Sequence, residues 1–196
     1  MIRTPPLAGQ RIGLFGGSFN PAHEGHLAVS LEALKRLQLD HVWWMVSPQN
    51  PLKDPSENND FDERFALAEK LARHPRLIVT DIERQLGTRT TAEAFAKLAP
   101  VFAGGQFVWI MGADSFAGLH RWNDWRDIPA TLPLAVFDRP GWSLKALGAP
   151  AAQLLADVRL DPHDARLLCR LGAPAWSFIS MPLRDESSSA LRATVK

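Results

Sequence analysis

The chain contains one cysteine, no tyrosine and a net charge of only +1. Because Cys169 has no partner cysteine, an intramolecular disulfide and a cysteine-based metal site are both excluded, which fits a reducing compartment. The small net charge gives no electrostatic reason to expect a nucleic acid or a membrane surface as a partner. No apolar run reaches the roughly 20 residues that span a bilayer, and the N-terminal residues lack a signal-peptide core. We therefore expect a cytoplasmic protein.

The composition and the order of apolar runs predict an α/β fold. With 46% apolar and 22% charged residues among 196, the chain has the composition of a folded protein and the length of a single domain. Short β-favouring runs alternate with amphipathic segments, which predicts a Rossmann-like, doubly wound parallel sheet with helices on both faces. The predicted strands are residues 11–15, 42–47, 77–80, 107–111, 134–137 and 176–180. The predicted helices are residues 25–37, 61–73, 91–98, 114–119 and 187–193, with a short helix near 151–157.

Several glycine-rich or polar segments directly follow predicted strands. They are residues 16–26, 48–53, 112–114 and 138–141. The carboxyl ends of parallel strands meet at one edge of a sheet, and ligands bind there where the strand order reverses. We therefore expect these segments to share one site. Residues 50–60 are polar and contain proline, which predicts a surface loop.

Residues 13–26, with the sequence GLFGGSFNPAHEGH, give the strongest indication of function. An apolar strand ends at Gly16 and Gly17, and His23 and His26 stand at the start of an amphipathic helix. Glycines let a ligand approach the backbone, and a helix N-terminus offers unpaired N–H groups. Imidazoles add donors that can be charged near neutral pH. The pattern predicts a phosphate-binding site in which both imidazoles face one phosphate group and stabilise charge on its phosphorus.

Each part of this pattern has a simpler explanation when taken alone. A His-x-x-His pair can be incidental or half of a zinc site, although no further cluster of metal ligands accompanies it. A Gly-Gly-Ser sequence after a strand is often only a tight turn. The segment is not a Walker P-loop, because no Gly-Lys-Ser/Thr follows the glycines, and it lacks the Gly-x-Gly-x-x-Gly of dinucleotide-binding folds. The combination of strand, turn and helix favours nucleotide chemistry.

The segment resembles the signature of the nucleotidylyltransferase superfamily, a glycine-bearing turn followed by His-x-Gly-His. Over essentially the whole chain, the sequence is similar to the bacterial nicotinate-nucleotide adenylyltransferases. Their form GxFGGxFxPxHxGH matches residues 13–26, with Asn20 where many members have aspartate. His23 stands where pantetheine-phosphate adenylyltransferases usually have threonine, which argues against that relative. The resemblance implies one nucleotidylyltransferase domain over residues 1–196, which transfers the adenylyl group of ATP to nicotinate mononucleotide and releases pyrophosphate and deamido-NAD.

The resemblance also implies roles for individual residues. His23 and His26 would act on the bridging and α-phosphates as the catalytic pair. The residues implied in binding ATP phosphates are Gly16, Gly17, Ser18, Phe19, Lys53, Ser187, Ser188 and Arg192. The residues implied in holding the nucleotide or the mononucleotide substrate are Thr91, Gly112, Asp114, Trp122 and Arg139. The implied cofactor is Mg²⁺, held mainly by the ATP phosphates. The expected partners are therefore small molecules, and homo-oligomerisation stays open.

Some of these positions also have a structural interpretation. Ser187 could cap a terminal helix within residues 186–193, and Asp114 could cap the helix that follows it. Trp122 could belong to the core, and Lys53 could be a solvated surface lysine. Arg192, one turn beyond the serines, instead favours an anion site at the same helix start.

The sequence departs from the family pattern at three further positions, and two other functions stay open. Thr90 stands where tyrosine usually lines the nicotinate pocket, Glu186 replaces an isoleucine, and Ser189 replaces a threonine. One alternative is transfer to another acceptor, such as nicotinamide mononucleotide or phosphopantetheine, or transfer from a cytidylyl donor. The other is a nucleotide-binding sensor without turnover. Charged groups matched to a transition state count against the sensor, because binding alone does not need them.

Overall fold

The computed structural model describes residues 9–48, 60–102 and 104–182. Within them one sheet of seven strands has the order β3-β2-β1-β4-β5-β7-β6, and every neighbouring pair is parallel. The strands are β1 Arg11–Gly17, β2 His41–Val46, β3 Leu77–Thr80, β4 Gln106–Gly112, β5 Leu134–Phe137, β6 Arg159–Leu160 and β7 Trp176–Ile179. The predicted Rossmann-like α/β fold is confirmed.

Helices connect the strands on both faces of the sheet. In the described residues they are α1 Glu24–Arg36, α2 Phe61–Leu71, α3 Ile82–Leu86, α4 Thr91–Phe102, α5 Ala113–Ala117, α6 Asp127–Thr131, α7 Ser143–Leu147, α8 Pro150–Leu154 and α9 Leu168–Leu171. Short 3₁₀ helices cover Leu119–Arg121, Ala156–Val158 and Pro162–Leu167. None of these helices has the length and apolar character that crossing a membrane requires.

The core is divided by the sheet into two apolar clusters. Side chains alternate along β1, so Leu14 packs with Trp109 and Phe95 on one face, whereas Phe15 packs with Trp44 on the other. Because both faces are covered, the central strands are nearly continuous apolar runs, which is how the sequence revealed them. The sheet is therefore held rigidly from both sides, which fixes the loops at its carboxyl edge.

The predicted element ends differ from the structure where local pattern and packing disagree. β1 continues two residues further than predicted, because Gly16 and Gly17 pair with β2. Helix α4 runs past the predicted end at residue 98 and through Pro100. Packing of Val101 against the core outweighs the backbone hydrogen bond that the proline removes. The other ends agree with the prediction or shift by one or two residues, as frayed ends do, except that the helix expected near residues 151–157 ends at Leu154.

The elements that the sequence did not predict are all short. They are β6, the 3₁₀ helix Pro162–Leu167 and the helices α3, α6, α7 and α9, none longer than six residues. Segments of this length show no clear periodicity, so tertiary packing decides them. The predicted helix at residues 187–193 lies outside the described residues.

The strand order places the switch point between β1 and β4. The chain leaves β1 towards β2 on one side and later returns to β4 on the other side. The loops after these two strands diverge there and leave a crevice at the carboxyl edge. The segments after β1, β4 and β5, which the sequence marked as functional, therefore meet at this edge.

Candidate active site

Helix α1 begins directly after His23, and two histidines form its N-terminal cap. The backbone N–H of Gly25 donates to Nδ1 of His23 at 3.1 Å, and the backbone N–H of His23 donates to Nδ1 of His26 at 3.2 Å. This arrangement is a capping box built from imidazoles. Because Nδ1 of each neutral ring accepts a hydrogen bond, the ring proton lies on Nε2. The cap therefore determines that each histidine presents an Nε2–H donor.

Both rings are almost completely buried, and their centroids lie 3.9 Å apart. Burial and the charge of Arg139 lower the pKa of His23 to about 4, whereas Asp114 acts in the opposite direction. Burial also lowers the pKa of His26 well below its ordinary value, aided by His23 and Arg139. The sequence indicated imidazoles that can be charged near neutral pH. In the structure both are neutral donors at pH 7, because the burial that the sequence could not show outweighs the other effects.

Three aromatic rings surround the imidazole of His26. The centroid distances are 4.8 Å to Phe19, 5.8 Å to Phe15 and 6.1 Å to Trp44. Phe19 also stacks on Trp44 at 5.0 Å and has a φ of +44°, in the left-handed region. A bulky residue pays an energetic penalty there, which the stacking helps to offset. Phe19 is therefore a fixed wall of the site.

Ser30 connects Trp44 to the helix that carries the histidines. The Trp44 Nε1–H donates to Ser30 Oγ at 2.7 Å, and the Ser30 hydroxyl donates to the backbone carbonyl oxygen of His26 at 2.8 Å. Ser30 and Trp44 are both fully buried. This chain of hydrogen bonds joins β2 to α1 directly behind His26 and restricts how the helix can shift.

The first of the two glycines before the loop has a packing role that the sequence did not show. Gly16 and Gly17 lie in β1 rather than in the turn, and neither has a φ in the left-handed region. A Cβ atom on Gly16 would lie 2.2 Å from Cη2 of Trp109, whereas one on Gly17 would lie 3.4 Å from Phe19. Gly16 is therefore required by side-chain packing inside the protein. The turn itself begins at Ser18.

Arg64, which the sequence analysis missed, stabilises this turn by hydrogen bonds from α2. It lies on α2 with 1% of its surface exposed, and its guanidinium donates to the carbonyl oxygens of Ser18, Ser47 and Pro48. A signal was present in the sequence, because Arg64 follows Phe61 by three residues and precedes the buried Ala68 by four. That spacing puts Arg64 on the buried face of the helix.

The ends of β4 and β5 contribute an ion pair next to the histidines. Asp114 Oδ1 lies 3.6 Å from Arg139 Nε, and both side chains affect the pKa of His23. Helix α5 begins at Ala113 with Gly112 as its N-cap residue and no side-chain cap, so the alternative that Asp114 caps the helix is wrong. Instead Asp114 folds back over Gly112, where a Cβ would lie within 2.4 Å of its carboxylate. Gly112 leaves the room that this ion pair needs.

Thr91 and Trp122 lie on elements separate from the histidine pair. Thr91 is the first residue of α4, and the Thr90 hydroxyl accepts the Glu93 backbone N–H at 3.2 Å. Thr90 therefore caps α4 where the family usually has tyrosine. Trp122 follows a 3₁₀ helix and is half-buried against the core. In the described part of the chain neither residue has a hydrogen bond or ring contact with the histidines.

The structure thus brings together part of the predicted site. His23, His26, Asp114 and Arg139 interact with one another, and residues 16–19 adjoin them through Phe19. The remaining predicted phosphate ligands lie outside the described residues: Lys53, Ser187, Ser188 and Arg192.

A parallel sheet with imidazole donors on a helix N-terminus at its switch point is the architecture of a nucleotide-binding α/β protein. A family model described as cytidylyltransferase-like matches residues 14–194. A curated relative from Parvibaculum lavamentivorans, named "Probable nicotinate-nucleotide adenylyltransferase", is 53% identical over 191 residues, which are 97% of this chain and 94% of the relative. A relative of the same name from Roseobacter denitrificans is 50% identical over 185 residues, 94% of this chain and 92% of the relative. The chain belongs to the cytidylyltransferase-like family and, within it, to the nicotinate-nucleotide adenylyltransferases.

Solved structures with low sequence identity share the fold. Two are of the Plasmodium falciparum nicotinic acid mononucleotide adenylyltransferase, one complexed with APC and one with NaAD. Their TM-scores are 0.69 and 0.71, each at 14% identity, and each alignment covers 94% of this chain and 83% of the other. The sheet and its helices are therefore retained where most of the sequence has changed.

Proposed function

We propose that the protein transfers the adenylyl group of ATP to nicotinate mononucleotide, which releases pyrophosphate and forms deamido-NAD. The proposal rests on the two Nε2–H donors of His23 and His26 at the N-terminus of α1, with Arg139 close by. These groups suit a phosphate that accumulates negative charge. The names of the curated relatives support the choice of substrate and a place in NAD biosynthesis.

In this reaction a phosphate oxygen of nicotinate mononucleotide attacks the α-phosphorus of ATP in line. The new P–O bond forms while the bond from the α-phosphorus to the bridging oxygen breaks, and pyrophosphate leaves with that oxygen. Because the nucleophile is already an anion, no general base is needed, and positioning and charge stabilisation provide the catalysis. His23 and His26 donate from Nε2 to the α-phosphate and the bridging oxygen, where charge accumulates.

Other residues would hold the triphosphate. Ser18 and the backbone of residues 16–19 lie at the end of β1 and in the turn after it, at the switch point and beside the histidines. From the resemblance we assign the β- and γ-phosphates to Lys53, Ser187, Ser188 and Arg192. On this view residues 1–196 act as one nucleotidylyltransferase domain, and residues 186–193 complete its ATP site. The buried free thiol of Cys169 is compatible with a reducing, cytoplasmic setting.

Mg²⁺ is the metal ion that we expect to accompany ATP. The imidazoles and the guanidinium at this edge donate hydrogen bonds to phosphates, whereas Mg²⁺ prefers oxygen ligands. The donor set therefore fits an ion held by the ATP phosphates, with Asp114 as the nearby carboxylate. When bound, Mg²⁺ would neutralise charge on the leaving pyrophosphate.

The acceptor side of the site is assigned to Thr91 and Trp122. Thr91 is at the N-terminus of α4, where backbone N–H groups have no partner within the helix and suit a carboxylate. Trp122 is only half-buried, and an indole suits stacking with an electron-poor pyridine ring. Capping by Thr90 keeps the start of α4 in place without the tyrosine that other members have.

The test is pyrophosphate release from ATP and Mg²⁺, with nicotinate mononucleotide and nicotinamide mononucleotide supplied separately. We expect release with the acid, and mass spectrometry should identify deamido-NAD as the product. Equal use of the amide would retain adenylyl transfer and remove the assigned carboxylate pocket. No release with either acceptor, together with ATP binding in a titration, would favour another acceptor or the sensor. Phosphopantetheine as the acceptor, and CTP as the donor, would then be compared.

A further inference from the structure

The guanidinium of Arg64 is buried and points at the main chain of the phosphate loop. Three carbonyl oxygens receive its hydrogen bonds: that of Ser18, that of Ser47 at 3.0 Å and that of Pro48 at 3.2 Å. Burial lowers the pKa of Arg64 from its ordinary value, and the charge of Asp60 partly opposes this. A buried cation is costly unless its donors are satisfied. Packing of α2 does not by itself require arginine at position 64, because the same buried helix face carries the small apolar residue Ala68 one turn later.

The hydrogen bond to Ser18 fixes the orientation of one peptide group. In a planar trans peptide, the carbonyl oxygen and the N–H point in opposite directions. Because the Ser18 oxygen points towards Arg64, the Phe19 N–H is turned away from Arg64 and α2. Phe19 adopts a φ of +44°, a conformation that bulky residues rarely hold without support. Arg64 fixes one side of this strained peptide, and the stack of Phe19 on Trp44 fixes the other.

Arg64 also joins the loop to the neighbouring strand. The Ser47 N–H donates to the Gly17 carbonyl oxygen at 2.9 Å, and the Ser47 carbonyl oxygen accepts from Arg64. One closed hydrogen-bond network therefore joins the ends of β1 and β2 through Gly17, Ser18, Ser47 and Arg64. A change at Arg64 therefore removes the links from α2 to Ser18, Ser47 and Pro48, while the hydrogen bond between Ser47 and Gly17 remains.

We infer that Arg64 is a positioning residue for the phosphate site. The hydrogen bonds from its guanidinium to the Ser18, Ser47 and Pro48 carbonyls orient the Ser18–Phe19 peptide so that the Phe19 N–H faces the transferred phosphate. This inference rests on the proposed adenylyl transfer. The charges that act on the pKa of His23 and His26 include Arg139 and Asp114, and Arg64 is not among them. Arg64 therefore acts through geometry.

The test compares steady-state kinetics of wild-type protein, R64M and R64K. We expect kcat to fall at least 10-fold in both variants, with KM for ATP and for nicotinate mononucleotide changed less than 3-fold. Lysine keeps the charge but cannot form the fork to three carbonyls, so R64K should not recover wild-type kcat. In R64A, added guanidinium chloride at millimolar concentration should restore part of the lost kcat and leave wild-type kcat unchanged.

Two controls separate positioning from general destabilisation. R84M removes an exposed arginine that also lies over Phe61 and pairs with Asp62, and it should keep wild-type kcat. L168A opens a cavity beside α9, next to Cys169. Burial raises the pKa of the Cys169 thiol, and the charges of Arg11 and Asp40 at the opposite edge of the sheet also act on it, so this part of α9 lies towards that edge. L168A should lower Tm and keep kcat.

The outcomes are distinguishable from failure of the proposed function. If wild-type protein releases no pyrophosphate with either mononucleotide, the proposed function fails before any variant is compared. If wild-type protein is active and R64K retains its kcat, or R64M loses no more kcat than L168A at equal loss of Tm, the positioning role is refuted. If R64M does not fold, R64K and the guanidinium rescue of R64A decide the question.

Discussion

His23 and His26 use the same nitrogen, Nδ1, to close the N-terminus of α1, and their ring centroids lie 3.9 Å apart. The two nitrogens of each ring therefore have different roles, one structural and one chemical. Nδ1 stabilises the helix end, and Nε2–H is left to donate. The division makes it feasible to remove one role while keeping the other.

Asparagine and glutamine at position 26 should separate these roles. An asparagine side chain can place an acceptor near the position of Nδ1, whereas glutamine reaches further, towards Nε2. We expect H26N to keep a Tm close to wild type and to lose about 100-fold or more in kcat, the usual effect of removing one donor to a charged transition state. H26Q should lose stability and keep more of kcat. Wild-type turnover in H26N would refute the assignment of Nε2 as the donor.

Asp114 and Arg139 should shift the pKa of His23 in opposite directions. Burial and, second to it, the charge of Arg139 lower this pKa to about 4, and the charge of Asp114 opposes them. We expect R139M to move the pKa upward and D114N to move it downward, because each variant removes one charge. Titration of the histidine ring protons by NMR measures both shifts. Shifts of the same sign in the two variants would contradict the geometry described for the ion pair.

Glu83 should make the stability of the protein depend on pH. Burial raises its pKa from 4.5 to about 7, against a hydrogen bond from Ser47 that lowers it. The folded state therefore holds a proton that the unfolded state releases, and stability falls as pH rises from about 4.5 through 7. The difference amounts to on the order of 3 kcal/mol.

The variant E83Q removes this dependence, because glutamine stays neutral and can keep the contact with Ser47. Thermal unfolding of both proteins between pH 5 and pH 8 measures the effect. We expect the Tm of E83Q minus that of wild type to increase towards pH 8. Parallel curves for the two proteins would show that the Glu83 carboxyl titrates normally.

The sequence was sufficient to predict the features that depend on periodic patterns or on residues close together along the chain. Apolar runs located six of the seven strands, and the spacing of His23 and His26 at a helix start predicted the donor pair. What it could not supply depends on contacts between distant residues. The carbonyls that hold Arg64 come from the ends of β1 and β2, and the pKa of His23 follows from burial and from Asp114 and Arg139.

Gly16 illustrates a residue with a packing role that the sequence did not reveal. The sequence suggested that glycine brings the backbone close to a phosphate. In the structure Gly16 faces inward, and the ring of Trp109 occupies the place of a side chain. Only the fold shows that β4 supplies a tryptophan, in register with Leu14, whose ring reaches this position. A glycine between two strands can thus be required by the core and still precede a ligand-binding loop.

Alanine at positions 16 and 17 should therefore have unequal effects on stability. A Cβ on Gly16 would lie 2.2 Å from Cη2 of Trp109, and strain of that kind costs about 1–3 kcal/mol or more. We expect the Tm of G16A to fall by roughly 5 °C or more for a chain of this length. G17A, whose Cβ would lie 3.4 Å from Phe19, should keep the wild-type Tm.

The same cause can be isolated with a smaller residue at position 109. W109L removes the ring that the new Cβ would strike, so G16A should cost clearly less stability in the W109L background than in wild type. Thermal unfolding of the four proteins of this cycle measures the coupling between the two positions. An equal cost of G16A in both backgrounds would mean that contact with Trp109 is not the reason why position 16 requires glycine.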